Sequence, residues 1–129
     1  MRLWERGRWW LVGGWAGVIL FFTSIPLPAM PGAEAAHADK VGHFVMYMVL
    51  GALVNRAMGW ELSRCHSLFI ILISAVLASG FGAFDEWHQQ FVNRNPALAD
   101  WLADVAGGGV GAALATVVWR RRPQEETDG

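Results

Sequence analysis

The sequence predicts an all-α protein: an integral membrane bundle of four transmembrane helices with both termini in the cytoplasm. Three observations carry that expectation. Of 129 residues, 54% are hydrophobic and 16% charged, against roughly 25% charged in soluble domains. Four stretches approach the roughly 20 mostly apolar residues that a helix needs to cross hydrocarbon. The basic residues gather on alternate connections between those stretches, as the cytoplasmic bias of Lys and Arg requires.

The first stretch is "WWLVGGWAGVILFFTSIPLP", residues 9–28. Arg2, Arg6 and Arg8 before it and "GAEAAHA" after it imitate a cleavable signal peptide. The apolar run is long for that purpose, and Pro26 and Pro28 interrupt the route to the small residues. The second stretch covers residues 43–60, its apolar part ending near Asn55 and Arg56. The third covers residues 67–84, and the fourth, residues 101–119, is apolar apart from Asp104. Trp9, Trp10, Trp60, Trp87, Trp101 and Trp119 fall at or near the ends, where aromatic belts form. The single cysteine, Cys65, can form no internal disulfide and reads as a packing residue.

Arg2, Arg6 and Arg8 precede the first span, Arg56 and Arg64 join the second and third, and Arg120, Arg121 and Arg122 follow the fourth. Four spans put all of these on one side, which is therefore the cytoplasmic one. The other side holds only Lys40 and Arg94 of the basic residues, in loops expected at residues 25–40 and 87–99. It also gathers Glu34, Asp39, Asp85, Glu86, Asp100 and Asp104. One concentrated polar site at the outer face of the cytoplasmic membrane is thus expected, built from helices two, three and four. The chain reads as a single domain over residues 1–122, with a disordered acidic tail at 123–129 that contains Glu125, Glu126 and Asp128. A formal net charge of −1 says little about partners. Membrane lipids are expected and nucleic acid is not.

On a helix, residues four apart share a face. In "DKVGHFVMY", Asp39, His43 and Tyr47 form one stripe, with Lys40 three residues before His43. In "DEWHQ", Asp85 and Glu86 both reach Gln89. In "DWLADVAGGGVG", Asp100, Asp104, Gly107 and Gly111 line one side. Gly107 and Gly111 form the small-xxx-small pattern that lets membrane helices approach closely. A helix drawn onto that groove turns the two carboxylates inward. Asp104 and His43 are expected within a turn of the apolar region, Asp39 and Asp100 in wetter positions. Ionisable groups in membrane segments are costly, about 2.5–3.5 kcal/mol at the bilayer centre, and mark functional sites by default.

Plainer readings stand beside these. Asp39 and Asp100 could complement helix dipoles, His43 could be a hydrogen-bonded structural histidine, and Tyr47 an interfacial anchor. Gln89 and Arg94 could tie the loop to helix ends. Convergence on one face favours a ligand or catalytic site. There His43 would act as general acid or base, oriented by Asp39 or Asp85. Lys40 and Arg94 would hold an anion, most plausibly a phosphate. Glu86, Gln89 and Asp100 would position a hydroxyl or water, with Tyr47 and Asp104 lining the pocket. Carboxylates could equally hold a divalent cation. No metal or cofactor motif selects among these roles, and the sequence has neither HExxH nor a phosphate-binding glycine loop.

"DKVGHFVMY", "DEWHQQFVNR" and "ADWLADVAGGGVG" together resemble the VanZ-like family of small multi-pass bacterial membrane proteins. The family pattern matches Asp39, Lys40 and His43, then Asp85, Glu86 and Gln89, then Arg94 and Asp100. Asp104 stands where the family often has Asn or Asp, and Gly107 and Gly111 fit its final glycines. The resemblance spans residues 39–111. Two features depart from it: "VNR" replaces the usual Pro-Gly turn, and "NPALAD" replaces a Ser-rich stretch. The resemblance implies a membrane enzyme of lipid or cell-envelope metabolism, acting on phosphate-linked headgroups or lipid carriers such as a polyprenyl phosphate. The alternative is a non-catalytic binder of a headgroup, a lipid-linked precursor or a glycopeptide antibiotic, since the name-giving member is associated with teicoplanin resistance, or a structural bundle.

Overall fold

Helix α3 (Ser67–Gln89) has its large and small side chains distributed inside out. Its buried residues are Ile70, Ser74, Ala78, Gly82, Asp85, Glu86 and Gln89, a mostly small or polar stripe. Leu68, Phe69, Leu72, Val76 and Leu77 are 45–67% exposed. Water would penalise so large an apolar surface, whereas lipid tails accommodate it. Ser74 stays tolerable on the inner face because its hydroxyl donates back to the Ile70 carbonyl, 2.6 Å away.

The computed structural model of the chain describes residues 3–25, 33–92 and 97–120. Its helices are α1 (Leu3–Ser24), α2 (Ala33–Glu61), α3 and α4 (Leu98–Arg120), with no strand among the described residues. Segments within α2, α3 and α4 are long and apolar enough to cross a membrane. At a rise of about 1.5 Å per residue, each could span a core of about 30 Å.

Helices α2 and α4 form the main contact, α3 packs against both, and α1 lies against α2 and more lightly α3. Glycine makes the first contact possible. A Cβ at Gly107 or Gly111 would run into the backbone of Phe44 or Met48, and one at Gly51 into the carbonyl of Gly108. The expected groove therefore exists, and α2 fills it. His43 pairs with Asp104, and Asn55 accepts from the Thr116 hydroxyl at 3.2 Å, the same number of residues further along both helices. The two helices are accordingly parallel. Gly82 lies beside Asp104, and Ala78 beside Gly108, so α3 runs the opposite way.

Four sequence expectations change. The loop expected at 25–40 is helical from Ala33, which puts Asp39 in the second turn of α2, beyond the first turn where it would complement the dipole. Asn55 and Arg56 do not end α2: it continues to Glu61, because Asn55 is buried and bonded within the bundle. The loop expected at 87–99 is shorter at both ends, since α3 reaches Gln89 and α4 starts at Leu98. Tyr47 is no interfacial anchor, being fully buried at the centre of a cluster with Ile19, Leu50, Val54 and Ala78.

The polar residues separate into two ends. Arg8 lies 4.0 Å over the Trp60 ring, and Arg56 5.2 Å from the Trp119 centroid. His43 sits about 25 Å up α2 from Trp60 by helical rise, at the acidic end. The acidic tail and Arg94 lie outside the described residues.

Candidate functional site

Four helices converge at the acidic end. Position 43 of α2 faces α4 because the glycine contacts one and two turns further along hold the two backbones together. His43 is 1% exposed and Asp104 is fully buried. His43 Nδ1 lies 2.8 Å from Asp104 Oδ1, a strong hydrogen bond in which the ring N–H donates. His43 Nε2 points the other way, 3.9 Å from Asp39 Oδ1, too far for a hydrogen bond. The acid that orients the histidine is thus Asp104, in place of the expected Asp39 or Asp85. Gly82 on α3 makes room for it, since a Cβ there would sit 3.0 Å from Asp104 Oδ2.

Asp85 belongs to a second group. The Thr23 hydroxyl donates to its Oδ1 at 2.6 Å, the Tyr47 hydroxyl to its Oδ2 at 3.2 Å, and Gln89 Nε2 lies at 3.5 Å. The Tyr47 ring stands parallel to that of His43, centroids 6.4 Å apart, and so connects the two groups. Thr23 on α1 is 1% exposed and was not among the expected site residues. Its only trace in the sequence is a hydroxyl at the end of an apolar run, which the i−4 carbonyl could equally have satisfied.

Glu86 accepts the backbone N–H of Ala97 through Oε2 at 3.0 Å, closing the turn between α3 and α4. Asp100 is 7% exposed, so the expectation of a wet position is corrected: the first turn of α4 carries it into the bundle. Asp39 keeps 24% of its side-chain surface and stands at the open side. Lys40 is partly exposed beside it in sequence. Trp101 is more than a belt residue, because its Nε1 donates to the Ser79 carbonyl at 3.1 Å.

Three buried atoms of this cluster have no hydrogen-bond partner: His43 Nε2, Glu86 Oε1 and Asp104 Oδ2. Each residue spends one atom on a protein partner and leaves the other unmatched. One ligand atom from each of these three lies within 4.8 Å of the other two, and the same holds for Asp39, His43 and Asp100. Chemically, such a site can orient an imidazole, hold a cation, or take a proton from a water or hydroxyl. A groove of about 310 Å³ runs beside it, lined by Glu86, Trp87, Leu98 and Trp101 among others.

Helices long and apolar enough to cross a membrane, with many large apolar side chains on their outer faces, define a helical integral membrane protein, here with a buried histidine–carboxylate cluster. More particularly, the chain belongs to the VanZ/LLP1 family, whose model matches residues 8–119. No curated protein and no solved structure matches it.

Proposed function

We propose that this protein is a membrane enzyme of lipid or cell-envelope metabolism that acts on a phosphate-linked lipid headgroup or lipid carrier. The observation that carries the reading is the buried His43–Asp104 pair, which holds the ring in place while Nε2 faces Asp39 without a partner. Buried polar atoms are normally bonded, and three exceptions gathered in one cluster of a membrane protein support a site where a bound molecule supplies the partner. The site activates a water or hydroxyl: its oxygen bonds to phosphorus, the bond to the departing alcohol breaks, and that alcohol takes up the proton. Lys40 and Arg94 hold the phosphate. The groove between Trp87 and Trp101 admits the apolar part of the lipid, with Glu86 common to groove and cluster.

In this reading all four helices span the cytoplasmic membrane with both termini inside, and the acidic end faces out. Arg8 and Arg56 beside Trp60 and Trp119 at the opposite end support that orientation. The Asp85 group favours a second reading in which the polar cluster is interhelical glue. That reading accounts for Asp85 and leaves the three unmatched atoms without a reason.

The test is headgroup release in proteoliposomes containing anionic phospholipid and polyprenyl phosphate, followed by mass spectrometry. Wild type should turn over one of them, and His43→Ala should fall at least about 100-fold while remaining folded in detergent. Equal rates would remove His43 from the chemistry. No turnover of any lipid, with headgroup retention lost in Arg94→Ala, would make the site a binder.

A further inference from the structure

We infer that the cavity at the basic end, between α1, α2 and α4, binds the phosphate of an anionic phospholipid headgroup. This second site is independent of the chemistry proposed for the acidic end. The cavity measures about 270 Å³ and is lined by Arg8 of α1, Asn55, Arg56 and Trp60 of α2, and Ala115 and Trp119 of α4, among others. Helices α1 and α4 both pack on α2 but make no contact with each other among the described residues. The space between them at this end is what the cavity occupies.

Charge points to an anion. Two arginines from different helices face one cavity, and its lining holds no carboxylate. Like charges brought together beside hydrocarbon repel, and an anion between them turns that repulsion into attraction. The guanidiniums are also held in place. Arg8 Cζ lies 4.0 Å from the Trp60 centroid, and Arg56 Cζ lies 5.2 Å from that of Trp119. A guanidinium on an aromatic face keeps N–H donors along its edge, the fork that matches phosphate.

A buried amide is a second, separate observation. Asn55 is 3% exposed, and its Nδ2 has no hydrogen-bond partner. Its Oδ1 accepts from the Thr116 hydroxyl, so the unmatched group is a donor. A buried donor is costly to leave unpaired, and this one belongs to the same lining as the two arginines. Asn55 and Ala115 form the buried part of that lining, and Trp60 and Trp119 its exposed rim. A phosphate oxygen entering past the arginines therefore meets a neutral donor further in.

The rim favours a lipid over a free ion. Trp60 and Trp119 are exposed, as are Val117 and Val118 beside them on α4. Indole rings at a helix end sit at headgroup depth, and the exposed valines offer an apolar surface to the acyl chains below. Basic pockets between membrane helices take anionic headgroups in this way.

The experiment adds phosphatidylglycerol or phosphatidylcholine to full-length, delipidated protein in detergent and counts retained lipid by native mass spectrometry. Wild type should retain phosphatidylglycerol in preference to phosphatidylcholine, and Arg94→Ala, altered at the acidic end, should still retain it. Retention should fall at least about tenfold in the double variant Arg8→Gln/Arg56→Gln. It should fall about fivefold or more in Asn55→Leu, whose Thr116 hydroxyl keeps the Ala112 carbonyl at 3.1 Å. Equal retention of the two lipids, or retention unchanged by the double variant in folded protein, overturns the site. Lipid lost in Arg94→Ala alone belongs to the acidic end and overturns it too. Loss in the arginine variant with Asn55→Leu unaffected overturns the cavity and leaves only a charged surface. Displacement of phosphatidylglycerol by millimolar inorganic phosphate keeps the anion and overturns the lipid.

Discussion

Asp85 and Asp104 are both fully buried carboxylates, on neighbouring helices of the same bundle end, yet they are treated in opposite ways. Asp85 receives hydroxyl donors from α1 and α2 and an amide from its own helix. Asp104 receives one ring N–H and keeps an oxygen unmatched, as do its neighbours His43 and Glu86. A carboxylate with its donors supplied from within holds helices together. In the function proposed above, a carboxylate left partly unmatched at an equal depth is open to a ligand. Burial alone does not separate the two carboxylates; the donors each receives do.

The same substitution at both positions should break the comparison or establish it. Asp85→Asn turns an acceptor into a donor facing hydroxyl protons, and several interhelical bonds of about 0.6–1.7 kcal/mol each are at stake. Its unfolding free energy should fall by about 2 kcal/mol or more. Asp104→Asn can keep its carbonyl on His43 Nδ1 and exchanges an unmatched charged oxygen for an unmatched neutral amide, so its stability should change by about 1 kcal/mol or less. Thermal unfolding of both variants in one detergent reads the difference, and equal losses would erase the distinction drawn here.

Gly82 sits between the two groups. A Cβ there would meet Asp104 Oδ2 at 3.0 Å, Asp104 Cβ at 3.1 Å and Tyr47 Cε1 at 3.3 Å. Gly82→Ala should therefore cost about 1–3 kcal/mol through overpacking and disturb both groups at once. If it lowers headgroup turnover without changing the melting temperature, the two groups are coupled by position and not by stability.

Thr23→Val removes the 2.6 Å bond to Asp85 with almost no change of shape, and should cost about 1 kcal/mol. Because that bond ties α1 to the bundle, protease accessibility of the α1–α2 connection should rise with it. A neutral result would mean that α1 is held by apolar contact alone, through Ile19 and the Trp15 bond to the Met46 carbonyl at 2.8 Å.

The helices were legible in the sequence because lipid imposes composition. A backbone in hydrocarbon must satisfy itself, so long apolar runs become helices whatever their partners. The helix ends were less legible. Residues 33–40 and 87–89 are polar enough to read as loop, yet each continues a helix, with His37 exposed at the start of one and Gln89 buried at the end of the other. The stripe Asp39–His43–Tyr47 and the face Asp100–Asp104–Gly107–Gly111 followed from helical periodicity, which is a local property.

What the sequence determined by itself is therefore the class of fold, the gathering of ionisable residues at one end, and the list of side chains available there. Tertiary structure alone decided the pairings: His43 with Asp104, Asp85 with Thr23 and Tyr47, Glu86 with the Ala97 backbone. The physical reason is that hydropathy and period act along one helix, whereas hydrogen bonds between helices depend on rotation and depth. Those were set by Gly51, Gly107 and Gly111, whose missing side chains let α2 and α4 close onto one another.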